Sequence, residues 1–313
     1  MEQYNILCCP DNNYIPYCGI MLTSLFENNR DINFTVYIIA AKLKKTNKEL
    51  LEKLCCIYNN CISFIDIENN DLGNCPVKKG DHVSIAAYYR IFAPQLLPQN
   101  IDKILYLDGD IIINGSINNL YNTNIDNNAF GAVIDEDYLG EKKYTRLEIP
   151  FNKSYINSGV LLINLKYWRK YNLVDKCLAY TKNNQERIVL HDQDVLNAVL
   201  FDKIKLLPIT YNFQTGFLYK ITKLDNDKRI ELQNCLYTPI IIHYTGPCKP
   251  WHKDSKHPYR KRFIYNKSIS LWNKQPMIGN KNTKDFIIGL ISEIAWKIGI
   301  KKKTQTYIIR AQK

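Results

Sequence analysis

Two aspartates one residue apart, Asp108 and Asp110, close an apolar run (Ile104 to Leu107) that resumes at Ile111 to Ile113. Carboxylate oxygens converging at the carboxyl end of a buried strand suit a hard divalent cation, and open α/β sheets place their ligand sites there. Gly109 between them is expected to let the backbone bend freely. The spacing by itself carries little, because Asp135/Asp137, Asp192/Asp194 and Asp225/Asp227 repeat it; the strand before Asp108 sets this pair apart. A second feature lies far away in the chain. His243 follows the apolar triplet Ile240 to Ile242 and opens the segment HYTGPCKPWH. There Gly246 allows close backbone approach to a ligand and Lys249 can meet a phosphate as a point charge.

The elements that must position these residues follow from periodicity. Asn5 to Cys9 reads as a strand, Pro10 to Asn13 as a polar turn and Tyr17 to Phe26 as a helix. Phe34 to Ala40 and Ile62 to Ile67 are further strands. Between them, Thr46 to Tyr58 is a helix with Thr46 and Glu49 in capping-box spacing. The order β-α-β-α-β implies parallel strands joined by right-handed crossovers. Ser84 to Phe92 reads as a helix carrying Arg90, and Phe130 to Ile134 as a strand ending at Asp135. Tyr155 to Asn164 is a strand, and Tyr167 to Lys182 and Asp192 to Phe201 are helices. The fold class is α/β, with Asp11 and Asp108 both following strands of one sheet.

Composition limits the alternatives. A 46% hydrophobic chain of 313 residues buries a large core. Its N-terminus has Glu2 and only a four-residue apolar run before Pro10, which does not read as a secretory signal. Ten cysteines without a C-x-x-C spacing read as free thiols of a reducing compartment. The net charge of +12 is local, since His243 onward holds 16 Lys and Arg against 3 Asp and Glu. A near-neutral body therefore carries a basic tail, and no nucleic-acid partner is expected because the body offers no basic groove. The division is a body at 1–273 and a tail at 274–313. In the tail Phe286, Ile287, Leu290, Ile291, Ile294 and Ile298 recur at helical spacing before Lys301 to Lys303. This reads as an amphipathic helix with a polybasic flank, binding an anionic membrane surface without spanning it, the alternative being a helix docked on the body with a solvated basic end.

Several ordered blocks, spread over roughly residues 5 to 265, carry a resemblance: LCCPDNNY, SIAAYYR, KILYLDGDIII, NSGVLLIN, HDQDVLN and HYTGPCKPWH. The set resembles the retaining nucleotide-sugar glycosyltransferases of family 8, the group containing bacterial lipooligosaccharide α-galactosyltransferases and glycogenin. The resemblance implies a GT-A, Rossmann-like mixed sheet flanked by helices, as one domain. It implies that Asp108, Asp110 and His243 hold Mn²⁺, with Mg²⁺ the alternative, and that Cys9, Asp11 and Asn13 lie in the uridine loop. Arg90 and Asp192 match residues holding the donor sugar, Asn157 and Gln193 positions beside its anomeric carbon, and Gly246 and Lys249 the phosphate clamp. His82 and Asp135 match places near the acceptor.

The chemistry asks for the same types. Breaking a sugar–phosphate bond leaves a charged diphosphate, which a cation and a lysine stabilise, and mixed carboxylate and imidazole ligands suit Mn²⁺ better than Mg²⁺. Retention by double displacement needs a nucleophilic carboxylate, and an amide, Gln193, stands there instead. A front-face attack follows, the departing phosphate taking the acceptor's proton. The expected protein is a cytoplasmic hexosyltransferase, peripheral at the inner face of a membrane. It uses a UDP-hexose, with glucose or galactose as the sugar, to extend a lipopolysaccharide or glycolipid. A glycogenin-like self-glucosylating protein and a nucleic-acid binder acting through the tail are the alternatives.

Overall fold

The computed structural model describes residues 3–67, 85–137, 139–218 and 224–279. His82 and the amphipathic part of the tail, residues 280–313, lie outside them. The first half of the chain runs β1 (Gln3–Cys8), α1 (Ile15–Glu27), β2 (Asn33–Ala40), α2 (Lys45–Ile57) and β3 (Cys61–Asp66). It continues through α3 (Tyr89–Leu96), β4 (Lys103–Leu107), β5 (Ile111–Ile113), α4 (Asn118–Tyr121), β6 (Phe130–Ile134) and α5 (Glu141–Leu147). The second half comprises β7 (Ile156–Asn164), α6 (Leu165–Lys170), α7 (Leu173–Asn183), α8 (His191–Leu200) and β8 (Ile204–Leu206). Then follow β9 (Phe213–Gln214), α9 (Asn226–Cys235), β10 (Ile241–His243) and α10 (Arg260–Ile269).

Seven strands form one sheet in the order β3-β2-β1-β4-β7-β6-β8. The four strands from β3 to β4 are mutually parallel, as the alternation of strands and helices demands. β7 then runs antiparallel to both β4 and β6, making the sheet mixed. Helices cover both faces, so the central strands carry apolar residues on both sides and the two-residue period sorts them between two cores. Phe34, Val36 and Ile38 of β2 and Leu105 and Leu107 of β4 join the core that includes α1 and the small second sheet. Tyr37, Ile39, Ile104 and Tyr106 join the core beneath α3, α7 and α8.

The second sheet has three strands, β5-β10-β9, and its register builds the site. Antiparallel pairing puts His243 opposite Ile111, and Tyr244 N–H donates to the Asp110 carbonyl over 3.0 Å. The chain also packs onto the body beyond Asn273, where Ile278 N–H donates to the Trp251 carbonyl over 2.9 Å. Among the described residues no helix is long and apolar enough to cross a membrane.

Three local expectations change. α2 starts at Lys45, and Thr46 makes no cap; Asn12, reaching across from the first loop, accepts from Lys44 N–H over 2.8 Å instead. The stretch from Tyr167 to Lys182 is two helices, broken where Asn172 turns left-handed at φ 50°. Gly109 needs no glycine freedom: it has no positive φ, and an added Cβ would lie 3.5 Å from the Tyr14 ring, an ordinary contact.

Candidate active site

Asp108 leaves the end of β4, Asp110 follows two residues later and His243 ends β10. Their ligand atoms lie within 4.8 Å of one another. His243 Nε2 stands 3.8 Å from Asp108 Oδ2 and 3.3 Å from Asp110 Oδ1. Asn212, fully buried, faces the other ring nitrogen: its Oδ1 is 2.9 Å from His243 Nδ1 while its Nδ2 donates to Asn157 Oδ1. With its amide oriented this way, Asn212 Oδ1 accepts from the Nδ1 N–H, which leaves Nε2 as the ring atom that faces the two carboxylates. Lone pairs from three side chains converging on one point fit a cation. The space is kept by Gly159, where a Cβ would come within 2.3 Å of His243 Cε1 and 2.8 Å of Asp108 Oδ2.

Lys249 closes the other side. Its Nζ lies 2.5 Å from Asp110 Oδ2 and 2.7 Å from the Tyr244 carbonyl. Burial opposes ionisation of Asp110, but the Lys249 ammonium, joined by His243 whenever that ring carries both protons, outweighs it and holds the carboxyl well below its ordinary range. Gly246, three residues before the lysine, sits at φ +82° with nothing near a Cβ, so the segment turns where only glycine does so without strain.

Arg90 links this cluster to Asp192. Its Nη2 is 3.1 Å from Asp108 Oδ1, its Nη1 donates to the Ser158 carbonyl over 2.6 Å, and the guanidinium lies 4.1 Å above the Tyr106 ring. The Nε atom is 3.2 Å from Asp192 Oδ2 yet donates to the Ala87 carbonyl. Asp192 Oδ2 is therefore a buried charge neighbour without a hydrogen bond. Burial, against the pull of Arg90, pushes the Asp192 carboxyl up to about 6. An acceptor left bare in this way is suited to a ligand hydroxyl.

His191, left-handed at φ 49°, starts α8 and turns both Asp192 and Gln193 into the site. Gln193 is buried and uses every hydrogen-bonding position of its amide. Oε1 accepts from Asn157 Nδ2 over 3.1 Å and from Ser158 N–H over 3.2 Å. Nε2 donates to Asp135 Oδ2 over 3.1 Å and to the Tyr155 hydroxyl over 3.3 Å. Asp135 thus reaches Gln193 directly. At the far edge Asp11 accepts from the backbone of Asn13 and Tyr14 over 2.8 and 2.9 Å and so shapes the first loop, where the Asn13 side chain is exposed. Cys9 borders this loop, its thiol raised chiefly by burial and so held protonated.

The geometry unites Asp108, Asp110, His243, Lys249, Arg90, Asp192, Asn157, Gln193 and Asp135. Asn212, Lys143 and the space at Gly159 are additions that the residue types did not announce. Asn212 is one Asn in an Asn-rich chain, and Lys143 lies in a polar stretch without periodicity; only Gly159, within the Asn-Ser-Gly approach to β7, carried a signal.

A mixed sheet with carboxylates at the end of a central strand, joined by a histidine from a small second sheet, agrees with the GT-A fold that the resemblance implied. The chain belongs to glycosyl transferase family 8, whose family model matches residues 5–255. It is 34% identical over 282 residues to a lipopolysaccharide 1,2-glucosyltransferase of Escherichia coli, covering 88% of this chain and 81% of that one. Similarity to general stress protein A of Bacillus subtilis is 31% over 284 residues, covering 89% and 97% of the two chains. Among solved structures it superposes on the galactosyltransferase LgtC in complex with donor and acceptor sugar analogs. That match has a TM-score of 0.78 and 25% identity, and covers 85% of this chain and 96% of that one.

Proposed function

We propose that the protein transfers a hexose, glucose or galactose, from a UDP-sugar to a glycan hydroxyl on lipopolysaccharide or a glycolipid, with retention at the anomeric carbon. The observation that carries this reading is the meeting of Asp108, Asp110, His243 and Lys249 beside the unbonded carboxylate oxygen of Asp192. The relatives named above that act on lipopolysaccharide and on galactosyl transfer support the substrate class.

Asp108, Asp110 and His243 would hold Mn²⁺, with Mg²⁺ the alternative, and the ion would supply positive charge to the diphosphate leaving group. Lys249, on its glycine-hinged segment, adds a second positive charge there. Asp192 accepts from donor-sugar hydroxyls, and Arg90 holds that carboxylate in place. The saturated Gln193 amide has no lone pair free to attack carbon. The acceptor oxygen therefore bonds to the anomeric carbon from the side the phosphate leaves, and its proton passes to the departing phosphate oxygen.

The test is a panel of UDP-, GDP- and ADP-sugars scored for Mn²⁺-dependent hydrolysis. UDP-glucose or UDP-galactose is expected to be hydrolysed at least about tenfold faster than any GDP- or ADP-sugar; equal rates across nucleotides would overturn the donor assignment.

A pH dependence follows from Asp192. A carboxylate accepting sugar hydroxyls must be ionised, so kcat/KM falls as the pH drops through about 6, while Asp110 stays ionised well below that range. Asp192→Asn is expected to lower kcat/KM about 100-fold and to flatten the profile between about pH 5 and 7. A limb near 6 that survives in the variant would assign the titration to another group.

A further inference from the structure

We propose that Lys143 is a positioning residue that fixes the orientation of the Gln193 amide. The inference rests on the reading that Gln193 lies beside the reacting carbon. Lys143 comes from α5, and its residue is only 9% exposed, a depth lysine reaches when its charge is matched. Its Nζ lies 3.0 Å from Asp135 Oδ1 and 3.9 Å from Asp137 Oδ2, and 4.2 Å from the centre of the Tyr155 ring.

Asp135 and Tyr155 are the two acceptors of the Gln193 amide nitrogen. One ammonium thus touches both side chains that dictate which way the amide faces. The Tyr155 hydroxyl spends its own proton on Asp194 Oδ1 over 2.6 Å, so towards Gln193 it can only accept. Asp194 is in turn fixed by Arg146 and by the backbone N–H groups of Val189 and Leu190. Asp135 is the variable member. Its Oδ1 meets Lys143 and accepts from Asp137 N–H over 3.0 Å, while its Oδ2 accepts from Gln193; deprived of its buried counter-ion, the carboxylate would rotate out of this arrangement and leave the amide free to flip. A flipped Gln193 would turn its NH₂ group towards the N–H donors of Asn157 and Ser158, and the wall beside the sugar would lose its order.

The experiment combines Lys143→Met, Gln193→Ala and the double variant. Lys143→Met is expected to lower kcat about 10- to 100-fold with donor KM changed less than about threefold. The double variant should be no slower than the slower single variant; a loss equal to the product of the two would show that Lys143 acts elsewhere and overturn the proposal. A second readout does not depend on turnover. The Gln193 side-chain amide resonances, assigned by their loss in Gln193→Ala, should shift in Lys143→Met while those of Gln185 stay in place. If Lys143→Met does not fold, Lys143→Gln removes the charge, leaves Asp135 in place and takes the same measurement. Unmoved Gln193 resonances overturn the proposal whatever the activity. Full turnover in Gln193→Ala with moved resonances in Lys143→Met would instead sink the placement of Gln193 beside the reacting carbon and leave the role of Lys143 intact.

Discussion

Asp110→Asn is expected to slow Mn²⁺-dependent donor hydrolysis at least about a thousandfold, equivalent to about 4 kcal/mol of transition-state stabilisation. Asp110 faces two partners at once, His243 Nε2 at 3.3 Å and Lys249 Nζ at 2.5 Å. Asparagine preserves the shape but removes the charge that attracts a cation and anchors the lysine. The backbone is spared, because the Asp110 carbonyl still accepts from Tyr244 N–H and keeps β10 in place. Lys249 also retains the Tyr244 carbonyl. The expected pattern is thus a lost Mn²⁺ isotherm in calorimetry, lost hydrolysis and a thermal midpoint within a few degrees of the parent. A variant that still turned over at half the parental rate and ignored chelators would refute the metal assignment for these three residues.

Much of this site was legible because its members sit where local pattern is strong. Asp108 and Asp110 follow a strand apolar from Ile104 to Leu107, and Asp192 and Gln193 open a helix, so residue type and element boundary coincide. His243 was legible as a strand end, but its meeting with Asp110, 133 residues earlier, depends on the β5–β10 register, which three-residue strands cannot declare. The failures share a cause. Thr46 and Glu49 match a capping box in spacing, yet Asn12, distant in sequence, satisfies the start of α2. Gly109 was expected to let the backbone bend because it separates the aspartates, whereas the crowding falls at Gly159 on the neighbouring antiparallel strand. Lys143 and Asn212 bear on the site through side chains from other elements, and neither position is unusual in its own neighbourhood. Contacts made across the fold leave no local trace.

Gly159→Ala should therefore remove metal binding by geometry alone, without touching a ligand. Gly159 lies inside β7, and its carbonyl accepts from Asp108 N–H over 2.9 Å, so the strand cannot retreat without dragging β4 with it. The added methyl would sit 2.3 Å from His243 Cε1 and 2.8 Å from both His243 Nδ1 and Asp108 Oδ2. His243 has no room behind it, since Asn212 there is fully buried and bonded to its ring. Asp108 is held in turn by Arg90 and by the Tyr106 hydroxyl at 2.5 Å. The methyl must push the imidazole and the carboxylate apart, which costs about 1–3 kcal/mol of stability and spoils the convergence of the three ligands. Mn²⁺ affinity and hydrolysis are each expected to fall at least about 100-fold in a folded protein. Gly109→Ala is the matched control, because its methyl would meet Tyr14 at 3.5 Å, and it should stay within about threefold of the parent in both measurements. Mn²⁺ bound equally well by Gly159→Ala would place the ion away from Asp108 and His243, whereas loss in Gly159→Ala with retention in Gly109→Ala would locate it between β4, β7 and β10.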